Sequence, residues 1–286
     1  MLSFPLQTRP NTLRIGSNLL DLTTPKVMGV LNLTDDSFFD GGRFKGSEAA
    51  KSQIAKLVED GADLLDLGAY SSRPGAKDVP VEVEIERLVP IVRWINLQCP
   101  SIGISIDTFR ASVARVCVDN GAHIINDISG GTLDPDLFNT VADLKVPYIL
   151  MHMRGTPQTM QQQTEYANLI LEMSRYFVKR IAELRSLGVT DIILDPGFGF
   201  AKTTQQNFSL LDQLTAFEFL GLPLLGGISR KSMIYKTLGL RPAEALNGTT
   251  VLNTILLLKG VQLLRVHDVR EAVQCIKLVN AMQTAG

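Results

Sequence analysis

From Lys26 almost to the end of the chain, short apolar runs rich in β-branched residues alternate with longer amphipathic stretches, the pattern of repeated strand-then-helix units. The period predicts eight strands: Val27–Leu33, Leu64–Gly68, Gly103–Asp107, Ile124–Asp127, Tyr148–His152, Ile192–Asp195, Pro223–Gly227 and Gln262–Arg265. Helical stripes fill the gaps. Ser47 opens one in which Ala50, Ile54, Leu57 and Val58 share a face before Gly61 stops it, and Glu82–Asn96, Ala167–Leu187 and Asp268–Met282 read the same way. No Pro/Gly/Ser-rich linker divides the series, which favours an α/β fold of the eightfold (β/α) TIM-barrel type, a single domain over residues 25–286, rather than an open doubly wound sheet. Residues 1–24 precede the first unit and read as an N-terminal segment, a hairpin closing the barrel bottom.

Composition narrows the function classes. The chain has 286 residues, 45% apolar and 20% charged, with a net charge of −1. That balance gives no long-range field to attract nucleic acid or an anionic membrane. With neither a signal-like start nor an apolar run long enough for a bilayer, the expected location is cytoplasmic. Cys99, Cys117 and Cys275 are odd in number and far apart, so buried free thiols are expected rather than disulfides or a thiolate metal site. Nucleotide motifs fail at single positions: Lys202 stands where a dinucleotide fingerprint beginning Gly197-Phe198-Gly199 needs glycine, and Arg230 replaces the Walker glycine before Lys231-Ser232.

Barrel enzymes draw their chemistry from the C-terminal ends of the strands, and here nearly every end is polar. In order these are Asn32, Asp66 with Ser71 to Arg73 beyond it, Asp107, Asn126 with Asp127, His152 with Arg154, Asp195, Ser229 to Lys231, and Arg265 with His267. Helix capping accounts for any one Asp, Asn or Ser, but not for Lys231, Arg265 or His267. Asp107, Asn126 and Asp195 suit a flat heterocycle with a donor-rich edge, while Arg73, Arg265 and a protonated His267 suit phosphate oxygens. Asn32 and Asp40 offer oxygen ligands to Mg2+. The Gly-, Asp- and Ser-rich stretches Thr34–Phe44 and Tyr70–Lys77 read as lids.

Taken together, MGVLNLTDDSFFDGG from Met28, SSRPGA from Ser71, ISIDT from Ile104, IINDISGG from Ile124, MHMRGTPQTMQ from Met151, DPGFGF from Asp195, GISRKS from Gly227 and RVHDV from Arg265 closely resemble the dihydropteroate synthases of the pterin-binding barrel superfamily. The resemblance covers almost the whole chain. It implies a pterin pocket of Asp107, Asn126, Asp195 and Lys231, pyrophosphate held by Asn32, Arg265 and His267, and Mg2+ as cofactor on Asn32 and Asp40. It also implies a p-aminobenzoate pocket of Ser72, Arg73, Pro74, Phe200 and Ser229, with Asp107, Arg73 and Lys231 catalytic. The implied reaction condenses 6-hydroxymethyl-7,8-dihydropterin pyrophosphate with p-aminobenzoate, in a homodimer whose partners are small molecules. The chain departs from the usual family pattern at Ala69-Tyr70-Ser71, at Ser72 in place of threonine, and at Asp35 and Phe39. Two alternatives stay open: a methyltransferase of the same superfamily, against which the phosphate-suited cations argue, and a catalytically silent pterin-binding paralogue.

Overall fold

The structure is a computed structural model describing residues 10–34, 43–70 and 78–285, with residues 43–46 described by backbone alone. Two short strands come first, β1 (Thr12–Ile15) and β2 (Asn18–Asp21), paired antiparallel around Gly16. The repeating units follow as β3 (Lys26–Asn32), α1 (Arg43–Glu59), β4 (Leu64–Gly68), α2 (Val81–Gln98), β5 (Gly103–Asp107), α3 (Ala111–Asp119), β6 (Ile124–Asp127) and α4 (Leu137–Leu144). They continue with β7 (Tyr148–Met151), α5 (Leu169–Ser186), β8 (Ile192–Asp195), α6 (Thr204–Asp212), β9 (Leu225–Gly226), α7 (Ser232–Leu238), α8 (Leu246–Leu258), β10 (Leu263–Val266) and α9 (Val269–Thr284).

The eight parallel strands run in the order β8-β7-β6-β5-β4-β3-β10-β9, and a bridge between Leu194 and Leu224 brings β8 back to β9, giving a nearly closed TIM barrel. Five residue pairs join β3 to β4, whereas two join β10 to β9. The expected strand Pro223–Gly227 is therefore shorter than its pattern suggested: Pro223 has no N–H to give to a ladder and serves only as acceptor, from the Leu194 amide at 2.8 Å. The other strands fall within about a residue of expectation. Between β9 and β10 the chain makes two helices where the repeat needs one.

Strand alternation sorts the side chains. Val27, Leu31, Leu65, Leu67, Ile104 and Ile106 point outward into one large core with Ile54 and Leu57 of α1 and Leu88, Ile91 and Val92 of α2. The first inward positions, Met28, Leu64, Ile124, Ile149, Ile193, Leu225 and Leu263, form a separate apolar layer inside the barrel. Leu13 of β1 and Leu22, just after β2, are buried in that same layer, so the hairpin packs on the end where the strands begin. Each such aliphatic side chain contributes about 1.5–3 kcal/mol on burial.

Candidate functional site

Two residues further along β4, β5, β6, β8 and β10 the inward positions are polar, as Asp66, Ser105, Asn126, Asp195 and Arg265, whereas β3 and β7 keep Val30 and Met151 there. Asp66, fully buried, accepts from Ser105 Oγ at 2.6 Å, Asn126 Nδ2 at 3.0 Å and Arg265 Nε at 2.6 Å. Arg265 also donates from Nη2 to Asp107 Oδ2 at 2.7 Å. A guanidinium that bridges two carboxylates in a water-poor interior satisfies charge and hydrogen bonds together, which is what makes such burial tolerable. Above this network Asn32 and Asp107 flank Gly68: a Cβ there would stand 3.5 Å from Asn32 Oδ1 and 3.4 Å from Asp107 Cβ, both ordinary contact distances.

The opposite wall is built by the turns after β8 and β9. Gly197 N donates to Asp195 Oδ1 at 2.7 Å, and Lys231 Nζ donates to the Phe198 carbonyl while lying 4.7 Å from the centre of the Phe200 ring. Ser229 Oγ accepts from His267 N at 3.2 Å and lies 3.1 Å from His267 Nδ1, a pairing satisfied when the serine hydroxyl donates to the ring. These groups enclose a cavity of about 680 Å³ lined by Asn32, Asp107, Asn126, Asp195, Phe200, Ser229, Lys231, Arg265 and His267. Burial pushes Asp107 up to about 7 against the pull of Arg265, and brings Lys231 down to about 8 against that of Asp195. Burial also raises Asp195 above the ordinary carboxylate range. His267 is brought down to about 4 by burial and then by Arg265, so it faces the cavity neutral rather than as the cation considered from sequence.

Most polar strand ends are not helix caps. Where the helix starts are described, side-chain caps come from Asn168 on α5 and Thr203 on α6, neither of them a strand-end residue. Asp127 and His152 were grouped with the rim, but alternation turns them outward. Asp127 accepts from the Tyr148 hydroxyl and the amides of Ser129 and Gly131, and His152 is buried among Tyr166, Tyr176 and Phe177. Arg154 pairs with Glu172 and covers the Tyr166 ring, while Arg230 lines the cavity with its guanidinium tied to Asp268 at 2.8 and 2.7 Å. Asp40, Ser71, Ser72, Arg73 and Pro74 lie outside the described residues. Sequence reading passed over Ser105, although its place two residues before Asp107 on an inward-facing row was a usable signal. It also passed over Tyr235, which lines the cavity as Tyr70 does, and over Lys202 as a structural participant.

The model of the family described as pterin binding enzyme matches residues 28–267. The chain is 44% identical to the dihydropteroate synthase of Synechocystis over 96% of both chains, and 41% identical to that of Escherichia coli K12 over 93% of this chain and 94% of the relative. It superposes on Xanthomonas albilineans dihydropteroate synthase with 4-aminobenzoic acid at a TM-score of 0.89, with 38% identity, covering 96% of this chain and 98% of the other. For the same enzyme in complex with 7,8-dihydropteroate the TM-score is 0.85 at 36% identity, covering 95% and 98%. With its polar barrel mouth and end-to-end similarity, the chain belongs to the pterin-binding enzyme family, among its dihydropteroate synthases.

Proposed function

We propose that this chain condenses 6-hydroxymethyl-7,8-dihydropterin pyrophosphate with p-aminobenzoate to give 7,8-dihydropteroate and pyrophosphate, a step of folate synthesis. The observation that carries the reading is the convergence of Asp107, Asn126, Asp195 and Lys231 on the cavity that Arg265 and His267 also line. Asn126 donates its amide N–H to Asp66, which leaves its oxygen as the group offered to a ring N–H. Asp195 has one oxygen on Gly197 N, leaving Oδ2 to accept from the amino-pyrimidinone edge, and Lys231 donates to the ring carbonyl. Arg265 and the Nε2–H of neutral His267 face the pyrophosphate. As the C–O bond to pyrophosphate breaks, the Asp107 carboxylate stabilises the methylene cation electrostatically. The amine nitrogen of p-aminobenzoate then forms the new C–N bond and loses a proton, with Phe200 and Ser229 bordering its place.

The donor set fits Mg2+ carried in by the substrate rather than a resident metal. Asn32 presents a single amide oxygen at the cavity, and no cluster of three acidic, His or Cys residues stands ready among the described residues. Asn32 and Asp40 would hold the ion, which when bound supplies positive charge to the departing pyrophosphate. Ser72, Arg73 and Pro74 complete the proposed amine pocket. A homodimer through α8 and α9 is part of the same reading: between these helices lies an apolar groove of about 500 Å³ flanked by Thr254, Leu258, Leu278 and Met282, with Leu278 72% exposed. The free cysteines support the cytoplasm as its place of work. Purified protein supplied with the pterin pyrophosphate, labelled p-aminobenzoate and Mg2+ is expected to form labelled dihydropteroate. Binding of pterin without product at saturating substrates would overturn the synthase reading in favour of the silent paralogue.

A further inference from the structure

Behind the wall that carries Lys231 lies a second lysine that the chemistry above does not use. Lys202 is 4% exposed, and its Nζ sits 3.0 Å from both the Gly197 and Phe200 carbonyls, 3.1 Å from His152 Nδ1 and 3.4 Å from the His152 carbonyl. The loop it gathers is unusual in backbone: Gly197, Gly199 and Ala201 all have positive φ, at 66°, 82° and 49°. A Cβ on Gly197 would stand 2.2 Å from the His152 carbonyl, so the loop is pressed against β7's end. An alanine in the left-handed region costs about 1 kcal/mol or more, so this shape needs outside support.

The other side of the same loop holds Lys231. The Phe198 carbonyl accepts from its Nζ, the Phe200 ring lies under it, and a Cβ at Gly199 would come 3.3 Å from its Cδ. One lysine therefore grips the loop from the protein interior while the other rests on its cavity face. We propose that Lys202 is a positioning residue for the amine half of the reaction. By tying the Gly197, Phe200 and His152 carbonyls to one nitrogen it fixes where the Phe200 ring stands against p-aminobenzoate. The pterin side touches this loop only through its backbone, where Gly197 N holds Asp195 and the Phe198 carbonyl holds Lys231, while Asp66, Asn126 and Arg265 lie on other elements, so the larger effect is expected at the amine.

This proposal rests on the synthase reading, and wild-type turnover tests that reading separately. Lys202→Met keeps the apolar stem and removes the donor. It is expected to raise KM for p-aminobenzoate about tenfold or more, as loss of orientation does, while pterin affinity by calorimetry stays within about threefold and the melting transition stays cooperative. Lys202→Gln, which restores N–H donors to the carbonyls without charge, is expected to recover part of the amine KM. An active wild type with an unchanged amine KM in Lys202→Met overturns the proposal. So does equal loss of pterin and amine affinity, which marks Lys202 as general scaffolding. Should Lys202→Met fail to fold, Lys202→Gln alone decides: a selective amine KM increase supports the role, and uniform loss or no change rejects it.

Discussion

The lower and middle layers of the barrel interior are built from the same strands, two residues apart, yet they differ in kind. Below, Met28, Leu64, Ile124, Ile149, Ile193, Leu225 and Leu263 pack against one another and the hairpin. Above, the corresponding rows hold Asp66, Ser105, Asn126 and Arg265 in one hydrogen-bonded network. The lower layer is an ordinary core whose value scales with area removed from water. The network gains little from burial, because the desolvation of its charges offsets their attraction, and it is retained by a cavity that needs charges in fixed places.

The largest effect should come from breaking the network at its centre. Asp66→Ala leaves the Arg265 guanidinium with half its partners and strands Ser105 and Asn126, and is expected to lower unfolding stability in urea by about 4 kcal/mol with loss of turnover. Leu64→Ala, one layer down, is expected to cost about 3 kcal/mol by leaving a cavity. Its kcat/KM, measured well below the transition, should remain within about twofold, separating the two layers by function. Asp195→Ala tests the upper wall, which carries chemistry more than stability. It should lose about 2 to 3 kcal/mol of transition-state stabilisation in kcat/KM for the pterin, with little change in urea midpoint.

The smallest expected effect is the pH response. In the proposed reaction Asp107 acts ionised, and it is raised to about 7 by burial, so activity should rise with pH through that value. In the same proposal Lys231 acts protonated, and it is lowered to about 8 by burial, so activity should fall above that value. The kcat/KM profile for the pterin is thus expected to be a narrow bell between these limbs, and Lys231→Arg should flatten its alkaline side. His267, at about 4, should leave no limb in this range.

Periodicity made the fold legible because strands and helices bury different spacings of apolar residue. Leu64–Gly68, Gly103–Asp107, Ile124–Asp127 and Ile192–Asp195 have the ends read from sequence. Motif order located Asp107, Asn126, Asp195, Lys231 and Arg265, and the fold gathers them at one cavity. Direction was harder. A run of polar residues at a strand end does not announce which of Asn126 and Asp127 faces inward until the register of the whole row is known. Partnership was harder still, since Lys202 read as a missing glycine and His152 as a rim histidine, although together they bind one loop from behind. That arrangement joins β7 to the turn after β8, a tertiary contact without local sequence signature.

The thin junction between β8 and β9 has a consequence for dynamics. Leu194 and Leu224 form a single bridge where β7 and β8 share four pairs and β3 and β4 share five, and Asp195 and Lys231 stand beyond it on opposite sides. Opening fluctuations of the barrel should concentrate at this gap, where the fewest rungs resist them. A ligand held by both residues laces the gap shut, so occupancy should register as slowed hydrogen exchange at the Leu194 amide and recognition should contribute directly to the barrel's cooperativity.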